Sequence, residues 1–144
     1  LLQNYLPINL RNQIIKNLFN NIVKIDEKEF SKNLYLNKNE ILEMKDNSMV
    51  FGIHGYTHGQ LGKLKNDQQK LEIKKSLNYF KKNKIFSKIK SICYPNGSWN
   101  NYTLGLIEKN KFDFGLTTNP PGNVNIQNIK NKFILPRYDT NDFL

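Results

Sequence analysis

The sequence predicts an α/β fold built on parallel strands, and three observations carry that prediction. Short apolar runs at residues 49–53, 89–94 and 112–117 have the length and composition of buried strands. Two stretches of helical character, residues 67–82 and 101–110, separate those runs. Strand, helix, strand, helix, strand is the order of a parallel layer with crossover connections.

Each element has its own justification. Leu10, Ile14, Leu18 and Ile22 recur every four residues, and Ile15 and Phe19 widen the stripe. An amphipathic helix over residues 9–22 follows, with Pro7 near its start. Residues 26–34 suit a short second helix. Asn37-Lys38-Asn39-Glu40 matches a capping box, in which Asn37 accepts from the Glu40 N–H and the Glu40 carboxylate reaches back. A third helix follows, with Ile41, Leu42 and Met44 inward, and Asp46-Asn47-Ser48 ends it. Asp67 is expected to cap the long helix, whose two faces are set by Leu71 and residues 77–80 on one side and Lys74-Lys75 on the other. Pro95-Asn96-Gly97 stops the second strand, and Asn100 or Asn101 caps the helix after it. A polar loop over residues 118–132 leads to a last short strand at Phe133-Ile134-Leu135. The chain thus reads as one domain over residues 1–144, a helical lead-in at 1–48 followed by a β/α portion at 49–137.

Composition narrows the functional classes. At 144 residues, 38% hydrophobic and 12% aromatic, the chain has a globular composition and enough length for a core. No apolar run approaches the roughly 20 residues of a membrane span. A net charge of +10 suggests nucleic acid, but the cations are lysines apart from Arg11 and Arg137, spread through a chain rich in Asn and lacking Ala. That bias is the imprint of an AT-rich coding sequence, so no nucleic-acid partner is expected. The lone Cys93 excludes an internal disulfide and leaves the compartment undecided. The start of the chain has no initiator Met, basic region or cleavage site, and is expected to lie inside a longer product.

The chemistry gathers at FGIHGYTHGQL, residues 51–61, which holds both histidines of the chain, His54 and His58. An arbitrary pair at this spacing would be two ordinary loop residues. Here it follows a strand directly, it contains every imidazole of the chain, and Gly52, Gly55, Gly59 and Gly62 let the backbone turn so that both rings converge on one ion. Catalytic zinc takes three protein ligands and keeps an open position, so a third ligand, most economically a carboxylate, must come from elsewhere. Tyr94-Pro95-Asn96-Gly97 follows the second strand, and loops after strand ends in such folds open on one face.

His54-Gly-Tyr-Thr-His58 resembles the His-Ser/Thr-x-x-His metal motif of polysaccharide deacetylases, carbohydrate esterase family four. The resemblance continues in order through residues 67–82, through Ile92-Cys93-Tyr94-Pro95-Asn96-Gly97, through residues 101–114, and to Leu135-Pro136-Arg137. It implies part of a distorted (β/α) barrel that hydrolyses N-acetyl groups of a polysaccharide or glycan with a divalent metal, zinc first. It also implies that His54 and His58 are metal ligands and that the backbone N–H of Asn96 donates to the oxyanion. Tyr94, Pro95, Gly97, Trp99 and Arg137 would then face substrate, although core packing is the commoner role of a Tyr or Trp so placed. Cys93 stands where many members carry Arg, and reads as a small buried residue. Three departures matter: the Thr-Phe-Asp-Asp motif that supplies base and third ligand is absent, Gly55 replaces Ser or Thr, and the late Leu-x-His motif is missing. Asp139 and Asp142 superficially match an Asp-x-x-Asp-Trp motif, or form a plain polar turn. The resemblance therefore implies an incomplete deacetylase domain. A non-catalytic carbohydrate-binding remnant and a basic interaction module are the alternatives.

Overall fold

The first unit of the chain, Leu1–Glu40, is helical, and its starts follow from local hydrogen bonding. A computed structural model describes residues 5–86, 88–118 and 131–137. Helix α1 spans Ile8–Ile22, entered through Pro7, whose carbonyl accepts from the Arg11 N–H at 3.0 Å. Helix α2 spans Glu27–Lys32 and begins where Asp26 Oδ1 accepts from the Lys28 and Glu29 amides at 3.0 and 3.1 Å. The Phe19 and Phe30 rings join the two helices edge to face, 5.4 Å between centroids. No side chain described in this unit is fully buried; Leu18 keeps 48% of its surface and Ile22 73%.

The predicted capping box forms as read. Asn37 Oδ1 accepts from the Asn39 and Glu40 amides, and Glu40 Oε2 accepts from the Asn37 N–H at 2.7 Å. Helix α3 then runs over Lys38–Asp46, and Ser48 leaves it with φ 69°.

The second unit, Ile41–Leu144, contains the sheet. Strands β1 (Ser91–Cys93), β2 (Phe114–Thr117) and β3 (Leu135–Pro136) are parallel and lie in that order. Ile92 stands opposite Gly115, and Leu116 opposite Leu135. Helix α4 (Asn66–Lys82) precedes β1, and helix α5 (Asn101–Lys109) connects β1 to β2. The core is made by Ile53, Leu61, Ile73, Ile92, Tyr94, Ile107 and Phe112, with Leu77, Phe80 and Trp99 packed on it. Each such side chain contributes about 1.5–3 kcal/mol by leaving water. A buried polar contact ties the two helices together: Thr103 Oγ1 lies 2.6 Å from Gln69 Oε1. At the strand end, a Cβ on Gly115 would stand 2.5 Å from the Phe133 carbonyl oxygen and 2.6 Å from the Tyr94 hydroxyl. The missing side chain is what lets that hydroxyl donate to that carbonyl, at 2.8 Å.

The parallel α/β prediction holds, with corrections at four places. The expected strand over residues 49–53 reduces to Ile53, which alone bridges to Ile92; its N–H donates to the Ser91 carbonyl and its carbonyl accepts from the Cys93 N–H. Met49 and Val50 are exposed, because pairing rather than apolar composition makes a strand. Helix α4 has Lys65 rather than Asp67 at its N-cap, two residues early, and Gln68 Oε1 accepts from the Lys65 N–H. The inward face of α4 is Gln69, Glu72, Ile73 and Ser76, while Leu71 is exposed. Residues 133–135 are mostly a single 3₁₀ turn, Lys132–Ile134, opened by Asn131 Oδ1 accepting from the Phe133 N–H. Asn100 caps α5 as expected, accepting from the Thr103 N–H at 3.0 Å. The Asp139–Asp142 match and most of the 118–132 loop lie outside the described residues.

Candidate metal centre

The bridge at Ile53 sets where the histidines go. It holds the chain against β1, so the next residue, His54, reaches the end of that strand. His54 Nδ1 lies 2.7 Å from the Cys93 carbonyl oxygen. A carbonyl can only accept, so Nδ1 is the donor, and the neutral tautomer that makes this bond has its lone pair on Nε2. An imidazole oriented in this way, through a backbone carbonyl behind it, is arranged as metal-ligating histidines are. The His58 ring stands edge to face with it, 4.7 Å between centroids, and both residues are exposed.

Of the four glycines expected to turn this loop, Gly55 does so with φ 74°, and His58 itself adopts the left-handed region with φ 58°. Gly55 also permits close approach: a Cβ there would lie 3.2 Å from Pro95 Cγ and 3.4 Å from Glu72 Oε2. The histidine loop and the Pro95 loop therefore meet on one face, as the strand order implies. Pro95–Gly97 is a one-turn 3₁₀ segment with Asn96 at φ 51°, ψ 27°. Asn96 is exposed, and its N–H donates to no described residue.

Two of the residues named for the substrate cleft are buried, Tyr94 in the core-packing role that is the commoner one for a Tyr so placed. Tyr94 is wholly buried, its ring in the core, and Pro95 is buried beside it. Burial pushes the Tyr94 phenol well above its ordinary range. The physical reason is strand parity, since Tyr94 lies two residues beyond the buried Ile92 and shares its side of the chain. Gly97 and Trp99 keep partial exposure; Trp99 packs on the core, and the Gly97 carbonyl accepts from Thr117 Oγ1 at 2.9 Å. Arg137 is half-buried, anchored by its N–H to the Thr117 carbonyl at 2.8 Å, and its Nε is buried with no partner among the described residues. Burial pushes the Cys93 thiol up, and the Arg137 guanidinium partly offsets this, so Cys93 is held as a thiol rather than a nucleophilic thiolate.

Sequence reasoning overlooked Glu72. It keeps 7% of its surface exposed, and its carboxylate accepts from the Tyr56 and Thr57 amides and from Thr57 Oγ1. A single acid among the inward positions of a lysine-rich helix, in step with Gln69, Ile73 and Ser76, was the available signal.

The chain matches the polysaccharide deacetylase family over residues 4–115. It belongs to that family. Among solved structures it is similar to the Streptococcus pyogenes deacetylase PplD in complex with acetate, with 33% sequence identity and a TM-score of 0.54. The likeness covers 58% of this chain and 37% of that chain, so this chain spans well under half of the streptococcal protein's length. None of the curated proteins matches. The fold is accordingly part of the β/α deacetylase architecture. No helix among the described residues is long and apolar enough to cross a membrane.

Imidazole nitrogen is a zinc ligand, and a catalytic zinc takes three protein ligands, so His54 and His58 are the two candidates here, His54 with the carbonyl contact behind its ring that ligating histidines use. No cluster of three His, Cys, Asp or Glu residues suited to a metal exists among the described residues.

Proposed function

We propose that this chain carries the two-histidine half of a metal-dependent amide hydrolase centre that removes N-acetyl groups from a polysaccharide or glycan. The observation that carries this reading is the His54 Nδ1 contact to the Cys93 carbonyl, with the His58 ring 4.7 Å away at the mouth of a parallel sheet. His54 and His58 would hold the cation, zinc first, and the third ligand comes from outside the described residues. A cation held there supplies a Lewis acid and an activated water at neutral pH. Asn96, an exposed residue, contributes its backbone N–H as the donor for negative charge developing on the acetyl oxygen. Its left-handed backbone fixes the direction of that N–H in advance of substrate. Gly97, Trp99 and Arg137 retain the partial exposure that a substrate contact requires, whereas Tyr94 and Pro95 support the loop from within. The streptococcal relative is a deacetylase in complex with acetate, the small product of such a reaction.

The test is acetate release from an N-acetylated chito-oligosaccharide in the presence of zinc. The gene product that carries this chain together with a third ligand should release acetate and lose that activity on His54→Ala. The 144-residue chain alone should release none; robust release by it would overturn the incompleteness of the site. Activity unaffected by His54→Ala would overturn the role of the pair.

A further inference from the structure

We infer that Glu72 is the positioning residue of this centre: its carboxylate holds the segment between His54 and His58 in the shape that brings the two rings together. The inference rests on reading that pair as metal ligands. Glu72 lies on α4, far from the histidines in sequence, yet its hydrogen bonds run to the span between them. Oε2 accepts from the Tyr56 and Thr57 amides, each at 2.8 Å, and Oε1 accepts from Thr57 Oγ1 at 2.9 Å. Glu72 forms no ion pair with any described residue. A carboxylate so buried is costly to take from water unless hydrogen bonds satisfy it, and here the inter-histidine span supplies them.

The span needs such a clamp. Gly55 and His58, on either side of residues 56–57, both have positive φ, an uncommon conformation for a residue with a side chain, and Glu72 bonds to the two residues between them. Both oxygens of a carboxylate accept, so Glu72 serves all three donors at once. A glutamine could imitate it, its one carbonyl oxygen accepting from both amides and its NH₂ donating to the Thr57 hydroxyl, whereas an alanine removes every acceptor. Lys75, one turn on along the same helix face, lies 5.1 Å over the Tyr56 ring and leaves the backbone of the span to Glu72.

Two measurements on the 144-residue chain decide the matter: proton NMR without metal, and zinc calorimetry. The parent is expected to give a ring-to-ring nuclear Overhauser contact between His54 and His58, with slowed amide exchange at Tyr56 and Thr57. Glu72→Ala should abolish the ring contact, speed exchange at those two amides about tenfold or more, and weaken zinc binding about 10- to 100-fold. Glu72→Gln should restore much of the ring contact. The methyl resonances of Ile92 and Ile107 should stay in place, which separates positioning from unfolding. Should Glu72→Ala unfold, Thr57→Val removes one of the three donors, and a weakened ring contact with several-fold poorer zinc binding supports the clamp. A ring contact and exchange rates equal to the parent's in Glu72→Ala, or in Thr57→Val where Glu72→Ala does not fold, would overturn the inference. A parent that fails to bind zinc, while Glu72→Ala still loses the ring contact, would discard the metal reading and keep the clamp.

Discussion

The two units of this chain differ in what their apolar residues accomplish. In Leu1–Glu40 a regular four-residue stripe makes α1, yet Leu18 and Ile22 remain largely exposed among the described residues. In Ile41–Leu144 the apolar pattern is shorter and less regular, yet Ile92, Ile107 and Leu61 are wholly buried. Periodicity therefore identifies a helix, whereas burial depends on whether sheet and helix close on each other. The candidate centre lies in the second unit, where rigid packing can hold imidazoles in place.

Four substitutions break or sharpen this contrast. Ile92→Ala removes a core side chain at the centre of β1 and should cost about 2–5 kcal/mol, read from the denaturant midpoint. Tyr94→Phe deletes the hydroxyl that donates to the Phe133 carbonyl and should cost about 1 kcal/mol at neutral pH. That difference has a pH signature. The folded state keeps the Tyr94 proton above the ordinary tyrosine value of about 10, whereas the unfolded chain loses it, so stability falls as pH rises through that range. Tyr94→Phe should flatten that alkaline decline. Asn100→Ala removes the cap of α5 and should cost about 1 kcal/mol, or somewhat less where water replaces the lost acceptor. Leu18→Ala, on the exposed stripe of α1, should change stability by about 0.5 kcal/mol or less. A cost for Leu18→Ala comparable to that of Ile92→Ala would erase the contrast between the units.

Much of the fold was legible because its signals are local. The Asn37–Glu40 box, the Asn100 cap and the α1 stripe depend on residues three or four apart, and each forms as read. The pairing of the histidine and Pro95 loops on one face followed from strand order. What escaped depends on distant partners. Residues 49–53 look like a strand, but only Ile53 finds a neighbouring backbone to pair with. Tyr94 takes the core-packing role read as the commoner one, as its period-two relation to Ile92 requires, whereas the burial of Pro95 was not foreseen. Glu72 escaped because a buried acid gains its meaning only once α4 lies against the histidine loop.

Zinc calorimetry on the 144-residue chain and its His54→Ala and His58→Ala variants tests the central claim most directly. One zinc per chain, bound at least about tenfold more weakly by either variant, is the predicted result. Equal binding by all three proteins would contradict the pairing of these imidazoles on a single ion.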